Sequence, residues 1–242
     1  VVAQQDVLGH LPHFDGKGEA LWKGLASSTG DIVVFIDADL RGFTARFVTG
    51  LLGPLLTDPA IAYVKAFYHR PLADPSTTVA DGGGRVTELV ARPLLNLHWP
   101  ALAGFVQPLA GECAGRREIL ERVPFVTGYG VEFGMLVDLL DLVGLDALAQ
   151  VDLGQRHHRH QSTEALGRMA AQIMLTAFSR LERQGSILVA EPPATPLVQF
   201  RRGNSGDGVE REVLVRDIAV PERPPLASLL RHEREAALVG DA

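Results

Sequence analysis

The sequence is poor in cysteine: Cys113 is the only one among 242 residues. A lone thiol excludes an internal disulfide and a cysteine-based zinc site, and the usage fits a reducing cytoplasm. The chain also lacks any apolar run of roughly 18 residues, so no membrane-spanning helix and no membrane partner are expected. Its first residues, VVAQQDVLGH, carry no basic region, apolar stretch or small-residue cleavage site, so no signal peptide is expected. Positive charge is in deficit. The formal net charge of −6 argues against a general nucleic-acid binder, while leaving room for local basic clusters. What remains is 46% hydrophobic and 21% charged, an ordinary globular composition. The length suits one large domain, or a domain with an extension, and can bury a sizeable core.

Along the chain, apolar periodicity alternates between helix and strand. Residues 19 to 28, EALWKGLASS, predict a helix that Gly30 stops. DIVVFID is short and rich in β-branched residues, which predicts a strand apolar on both faces, as in a parallel sheet covered by helices. Residues 44 to 56 predict a helix broken at Asp58-Pro59, and residues 61 to 70 a second strand. PLADPSTTVADGGGR predicts a loop, and residues 86 to 97 a helix kinked or split by Pro93. FVQPLAGECAGRREIL predicts strand, turn and helix. VPFVTGYGVEFGMLVDLLDLVG predicts a glycine turn into an amphipathic helix, and LDALAQVDLGQRHHRHQ a strand ending in a cationic cluster. Residues 163 to 183 have good helix propensity. The tail from about 185 is rich in proline and holds the polar turn GNSGDG. The expected organisation is therefore a core over 1–184 and an extension over 185–242 that packs on the core or on a dimer partner. Strands alternating with helices predict an α/β fold with a mostly parallel sheet, whose ligands bind at the carboxyl ends of the strands.

Five segments carry candidate chemistry. Asp37-Ala38-Asp39 leaves an apolar strand with two carboxylates on one face, which repel unless a cation lies between or beside them. That points to a hard divalent ion shared with substrate phosphates; the alternative is a solvated turn. Gly16-Lys17-Gly18-Glu19 lacks the spacing of a Walker A loop, yet its glycines would let backbone approach an anion; the alternative is a helix-start turn with a surface lysine. In DGGGRVT, the N–H groups at a helix start and the Arg85 guanidinium suit phosphate or carboxylate, against a plain flexible linker. RHHRH (156 to 160) could set Arg156, His158 and His160 on one face for metal or phosphate, or form a solvated basic turn. Gly128-Tyr129-Gly130-Val131-Glu132 could present Tyr129 and Glu132 to a sugar, or simply place an acid at a helix N-terminus.

In order and in spacing, GKGEALWKGLASSTGDIVVFIDADL, GGGRVTELVARPLL, QPLAGE, GYGVEFGMLVD and RHHRH resemble the retaining GT-A glycosyltransferases that make glucosyl-3-phosphoglycerate. The mannosyl-3-phosphoglycerate synthases share much of this pattern. The resemblance runs from about residue 7 to about residue 180. It implies a GT-A, Rossmann-like fold and transfer of glucose from UDP-glucose to the 2-hydroxyl of 3-phosphoglycerate. Mg²⁺, or Mn²⁺ or Co²⁺ in its place, would be the cofactor, and a homodimer the assembly. GDP-mannose is the alternative donor, and a non-catalytic sugar-phosphate binder the alternative class. By the same resemblance Asp39 and His158 would hold the metal. Lys17, Asp37, Ala38, Asp39, Glu132 and Arg156 would meet the nucleotide sugar. Gly84, Arg85, Val86, Thr87 and His160 would meet the acceptor. Leu109, Tyr129 and Glu132 would border the reacting sugar, Leu109 through its backbone carbonyl. Three departures stand out. Cys113 replaces a tyrosine usual after Gly-Glu, His160 replaces an asparagine of some members, and the strand and proline-containing loop that normally precede this region are not seen before Val1. The resemblance therefore implies a core lacking its first βαβ unit.

Overall fold

A computed structural model describes residues 1–40, 42–69, 72–73, 78–79, 84–155, 161–202, 211–229 and 231. Helix α1 (Lys17–Ser27) leads into strand β1 (Ile32–Phe35), then α2 (Ala45–Thr57) and β2 (Tyr63–His69). Two short strands, β3 (Leu72–Ala73) and β4 (Thr78–Val79), pair with each other. Next come α3 (Arg92–His98), β5 (Cys113–Arg116), α4 (Arg117–Leu120), β6 (Phe125–Val126), α5 (Val131–Val143) and β7 (Leu148–Gln155). Helix α6 (Thr163–Arg183), strands β8 (Pro196–Arg202) and β9 (Arg211–Asp217), and strand β10 (Glu222–Arg223) complete the described order.

The central sheet has the order β1-β5-β2-β7. Strands β1, β2 and β7 point one way, and β5 runs against both β1 and β2. The sheet is thus mostly parallel with one inserted antiparallel strand. This insertion matters for the site: the start of β5 lies beside the carboxyl end of β1. Phe35 pairs with Cys113, and continuing that register sets Asp37 opposite Gly111.

Both faces are covered, as the doubly apolar strand pattern requires. On one face α2 turns Phe47, Leu51 and Leu55, spaced four apart, onto Val64, Ala66 and Tyr68. The other face packs Tyr63, Phe35 and Cys113 with Trp22 of α1, Phe133 and Leu136 of α5, and Ile173 of α6. The segment around Pro93 departs from a plain helix. A π-helical turn over Thr87–Ala91 precedes α3, and the Arg92 N–H reaches back to the Thr87 carbonyl. Proline removes a donor and clashes with the preceding turn, and a wide turn just ahead of it accommodates both effects.

The described tail residues form two attachments. Strands β8 and β9 make an antiparallel hairpin that touches α6, where Gln199 Nε2 donates to the Glu164 carbonyl at 3.1 Å. Strand β10 pairs with β6, and the Trp22 indole N–H donates to the Pro224 carbonyl at 3.0 Å.

Helix α1 starts in close contact with β6. The Gly18 N–H donates to the Thr127 carbonyl at 2.9 Å, and a Cβ at Gly18 would overlap the Val126 carbonyl. Backbone sits on both sides, so neither can yield. Gly18→Ala is expected to cost about 3 kcal/mol as an overpacking defect. In a chain of this size that lowers the melting temperature by roughly 6–12 °C, and an unchanged melting curve would contradict this packing.

Candidate functional site

At the carboxyl end of β1 the chain leaves the sheet at Asp37 and turns through Ala38 and Asp39, which are exposed. Lys17, in the first turn of α1, reaches between two acids. Its Nζ lies 2.6 Å from Asp37 Oδ1 and 2.6 Å from Glu132 Oε1. Glu132 stands in the first turn of α5 and is nearly buried. Burial works against the Lys17 charge, but Glu132 and Asp37 outweigh it and hold the ammonium well above the ordinary lysine range. The structure therefore brings three sequence-expected residues, from three elements, into one charge cluster.

Gly111 makes this cluster possible. A Cβ there would overlap both Lys17 Nζ and the Asp37 carboxylate. The glycine falls in the quoted QPLAGE stretch, but sequence reasoning gave it no role. Its signal becomes readable only once β5 is known to run antiparallel beside β1.

The glycines flanking Lys17 belong to a helix-start turn and not to an anion loop. Gly16, at φ 118°, lies against the Thr127 carbonyl, and Gly18 against that of Val126. The N–H groups of Gly18 and Glu19 both point at the Thr127 carbonyl, at 2.9 and 3.4 Å. These donors are occupied by protein backbone, so the close approach is to β6 and not to an anion.

The residues expected to meet the acceptor, Gly84 to Thr87, stand at the start of the helical segment before α3. Gly84 adopts φ 82°, where a side chain is disfavoured, and its carbonyl receives the Glu88 N–H at 3.0 Å. Arg85 is exposed and donates from Nη2 to the Gln161 carbonyl at 3.3 Å. Val86 and Thr87 are buried, which leaves Val86 only its backbone for any ligand contact. Arg92 ties this helix to the loop before Leu109. It bonds Glu88 at 2.7 and 2.9 Å and the Val106 carbonyl at 2.8 Å. Leu109 is partly buried against the larger core cluster. Tyr129 is exposed, and its N–H donates to Gln172 Oε1 at 3.0 Å. Arg156, His158 and His160 lie outside the described residues, as does Asp81-Gly82-Gly83.

Of the two residues expected to hold a metal, only Asp39 lies among the described residues; it is exposed, and its carboxylate oxygens are the donor type that a hard divalent cation takes. Among the described residues no group of three or more His, Cys, Asp or Glu is already assembled for one.

Beneath the charge cluster lies a buried polar group that the sequence reading missed. Lys65, on the same face of β2 as Tyr63, is buried and donates to the Tyr63 hydroxyl at 3.4 Å. Its strand partner is Cys113, which is also buried. Burial holds the Lys65 amine below the ordinary lysine value. The available signal was a lysine inside the apolar strand YVKAF.

Two outcomes test this arrangement. In Gly111→Ala the overlap falls on the ends of flexible side chains, so the fold should survive while the Lys17–Asp37 contact is lost. Losing a charged hydrogen bond is worth about 1.5–3 kcal/mol. Affinity for the nucleotide sugar implied by the sequence should therefore fall roughly tenfold to hundredfold, and calorimetry showing no change would contradict the assignment. For Lys65, the unfolded chain keeps its proton up to about pH 10.4 while the folded chain releases it earlier. Between those values the unfolded state binds more protons, so stability rises with pH. Lys65→Met should raise the melting temperature near neutral pH and flatten that rise, whereas an identical pH profile in the two proteins would refute it.

No protein-family model matches the chain. Individual proteins do. It is 52% identical over 229 residues to glucosyl-3-phosphoglycerate synthase of Mycobacterium tuberculosis, covering 93% of this chain and 68% of that protein. It is 40% identical over 235 residues to the synthase of Petrotoga mobilis, covering 97% of this chain and 71% of that protein. The crystal structure of the M. tuberculosis synthase in complex with Mn²⁺, UDP-glucose and phosphoglyceric acid superposes with a TM-score of 0.77 at 42% identity, covering 94% of this chain and 71% of that one. Mannosyl-3-phosphoglycerate synthase of Rubrobacter xylanophilus superposes with a TM-score of 0.80 at 39% identity, covering 93% of this chain and 71% of that one. On these likenesses and on the charge cluster at the carboxyl end of β1, the chain belongs to the glucosyl-3-phosphoglycerate synthase family.

Proposed function

We propose that this protein transfers glucose from UDP-glucose to the 2-hydroxyl of 3-phosphoglycerate with retention of configuration, and that it uses a divalent cation. The observation that carries the reading is Lys17 held between Asp37 and Glu132, beside an exposed acidic turn at the carboxyl end of β1. The membership of the family, and the ligands named for the M. tuberculosis synthase, support the substrates.

In this reading Asp39, with His158, holds the cation, and Asp37 and Lys17 meet the nucleotide. Bound there, the cation neutralises charge that develops on the departing diphosphate. Arg156 would be a further contact for the same diphosphate. Lys17 also fixes Glu132, which grips hexose hydroxyls and so orients the anomeric carbon; Tyr129 borders the same sugar. Arg85 and the backbone N–H groups near Gly84–Thr87 suit the phosphate and carboxylate of a small trianion, with His160 beside them. Positioning of this kind contributes through orientation as much as through charge.

No carboxylate beyond this cluster is assigned as a covalent nucleophile, and Glu132 is engaged by Lys17. Retention then follows from front-face attack. The bond from the anomeric carbon to the diphosphate oxygen breaks, the acceptor hydroxyl oxygen bonds to that carbon, and its proton passes to the departing oxygen. The Leu109 carbonyl lies beside the reacting sugar in this account.

The core over 1–184 carries the donor cluster, and the extension over 185–242 supports it and a homodimer. The apolar pairs Val198–Val215 and Phe200–Val213, all exposed on the β8–β9 hairpin, favour a self-association surface there. A cytoplasmic location accords with the free, buried Cys113. No described helix is long and apolar enough to cross a membrane.

A mannosyl donor is the second reading, supported by the likeness to the R. xylanophilus synthase. One assay separates the two. With 3-phosphoglycerate and Mg²⁺ or Mn²⁺, UDP-glucose should give glucosyl-3-phosphoglycerate, GDP-mannose little product, and chelation of the metal none. A preference for GDP-mannose would select the second reading, and transfer from neither donor would defeat both.

A further inference from the structure

The segment Pro221–Pro224 runs directly under the first turn of α1, and nothing in the reaction as described above uses it. Its contacts converge on that turn. The Pro221 carbonyl accepts from both the Thr127 N–H and the Thr127 hydroxyl, each at 2.9 Å, and the Thr127 carbonyl in turn accepts from Gly18. Arg223 forks onto Glu19, with Nε 2.7 Å from Oε2 and Nη2 2.7 Å from Oε1. The guanidinium also donates to the Pro12 carbonyl and lies over the rings of Phe14 and Trp22, 4.5 and 5.1 Å from their centroids. Lys23 adds a second cation to Glu19 at 3.6 Å.

Glu19 is fully buried and Arg223 nearly so. A buried ion pair is weak evidence for stability, because apolar residues of similar volume commonly hold a fold as well or better. What it supplies is direction. Two residues along a helix turn the side chain by about 200°. Glu19 and Lys17 therefore point to opposite sides of α1. Pinning Glu19 to β10 through a planar two-bond fork fixes the rotation of the first turn about the helix axis. That rotation aims Lys17 at Asp37 and Glu132.

We propose that Pro221–Pro224 is part of the donor site at one remove, with Arg223 as a positioning residue that orients Lys17 through Glu19. The inference rests on the reading of Lys17 as a contact for the nucleotide sugar. It assigns to the tail a role in donor affinity that acceptor affinity should not share.

The test is calorimetric binding of UDP-glucose with Mn²⁺, and separately of 3-phosphoglycerate, to wild type and two variants. Glu19→Leu combined with Lys23→Met and Arg223→Met removes the three charges of the buried cluster and keeps the volume, so the fold is retained. Arg223→Lys keeps the charge and loses the fork. Each should bind UDP-glucose about tenfold or more weakly, as expected for a displaced positioning group, with 3-phosphoglycerate affinity unchanged. Wild-type donor affinity in either folded variant, or equal losses for both ligands, would overturn the inference. Absence of UDP-glucose binding by wild type would overturn the donor reading first, and this inference with it.

Discussion

Two carbonyls, those of Val126 and Thr127, are the reference from which the site is built. The first turn of α1 lies against them so closely that only glycine fits at position 18. From β6 the chain turns through Gly128, Tyr129 and Gly130 directly into α5. Lys17 and Glu132 are therefore positioned from one short piece of backbone, although they stand on different helices. Further glycines extend the principle: a Cβ at Gly130 would overlap the Thr176 hydroxyl, and one at Gly128 would crowd Gln172. The floor under the donor cluster is made of close backbone approaches, and these hold geometry more tightly than side-chain packing could.

On that floor sits an arrangement of charge that is neutral in no simple way. Lys17 answers two acids, Asp37 and Glu132, in a half-buried place where each unpaired charge would be costly. Lys65 stands below them, with its charge disfavoured by burial. Strand β5 is what lets these groups share one region. Running against its neighbours, it brings Gly111 to the Lys17–Asp37 pair and Cys113 to Lys65. A parallel strand in the same slot would have brought its carboxyl end there instead, with a different loop.

Much of this was legible. Propensity gave the helix over residues 163–183 with the bounds observed, and in the structure Ser162 caps it through its side chain. The strand expected over 61–70 is found over Tyr63–His69, and the acids of the Asp37–Asp39 turn leave the end of β1 as expected. Pro93 did disturb its helix, though as a preceding π-turn and not a simple kink. Direction was not legible in CAGR, because a strand's orientation is set by its connections and not by its own residues. The partner of the Gly16 and Gly18 pair was not legible for a related reason. Glycine announces close approach but not the partner, and here the partner is more than 100 residues away in the chain. The Glu19–Arg223 pair left no local trace at all, since neither residue is unusual among its neighbours.

The separation of that pair has a consequence for how the protein is made. Glu19 and Arg223 are 204 residues apart. On the ribosome, α1 is complete long before its counter-ion exists. At the usual pace of about 5–20 residues per second, Glu19 and the aromatic faces of Phe14 and Trp22 wait many seconds without the guanidinium that will cover them. Late closure of so distant a contact raises the contact order and slows the final step. It also makes the last strand a checkpoint. Until β10 docks, the first turn of α1 rests on the Val126 and Thr127 carbonyls alone, and its Glu19 side lacks the fork that Arg223 supplies.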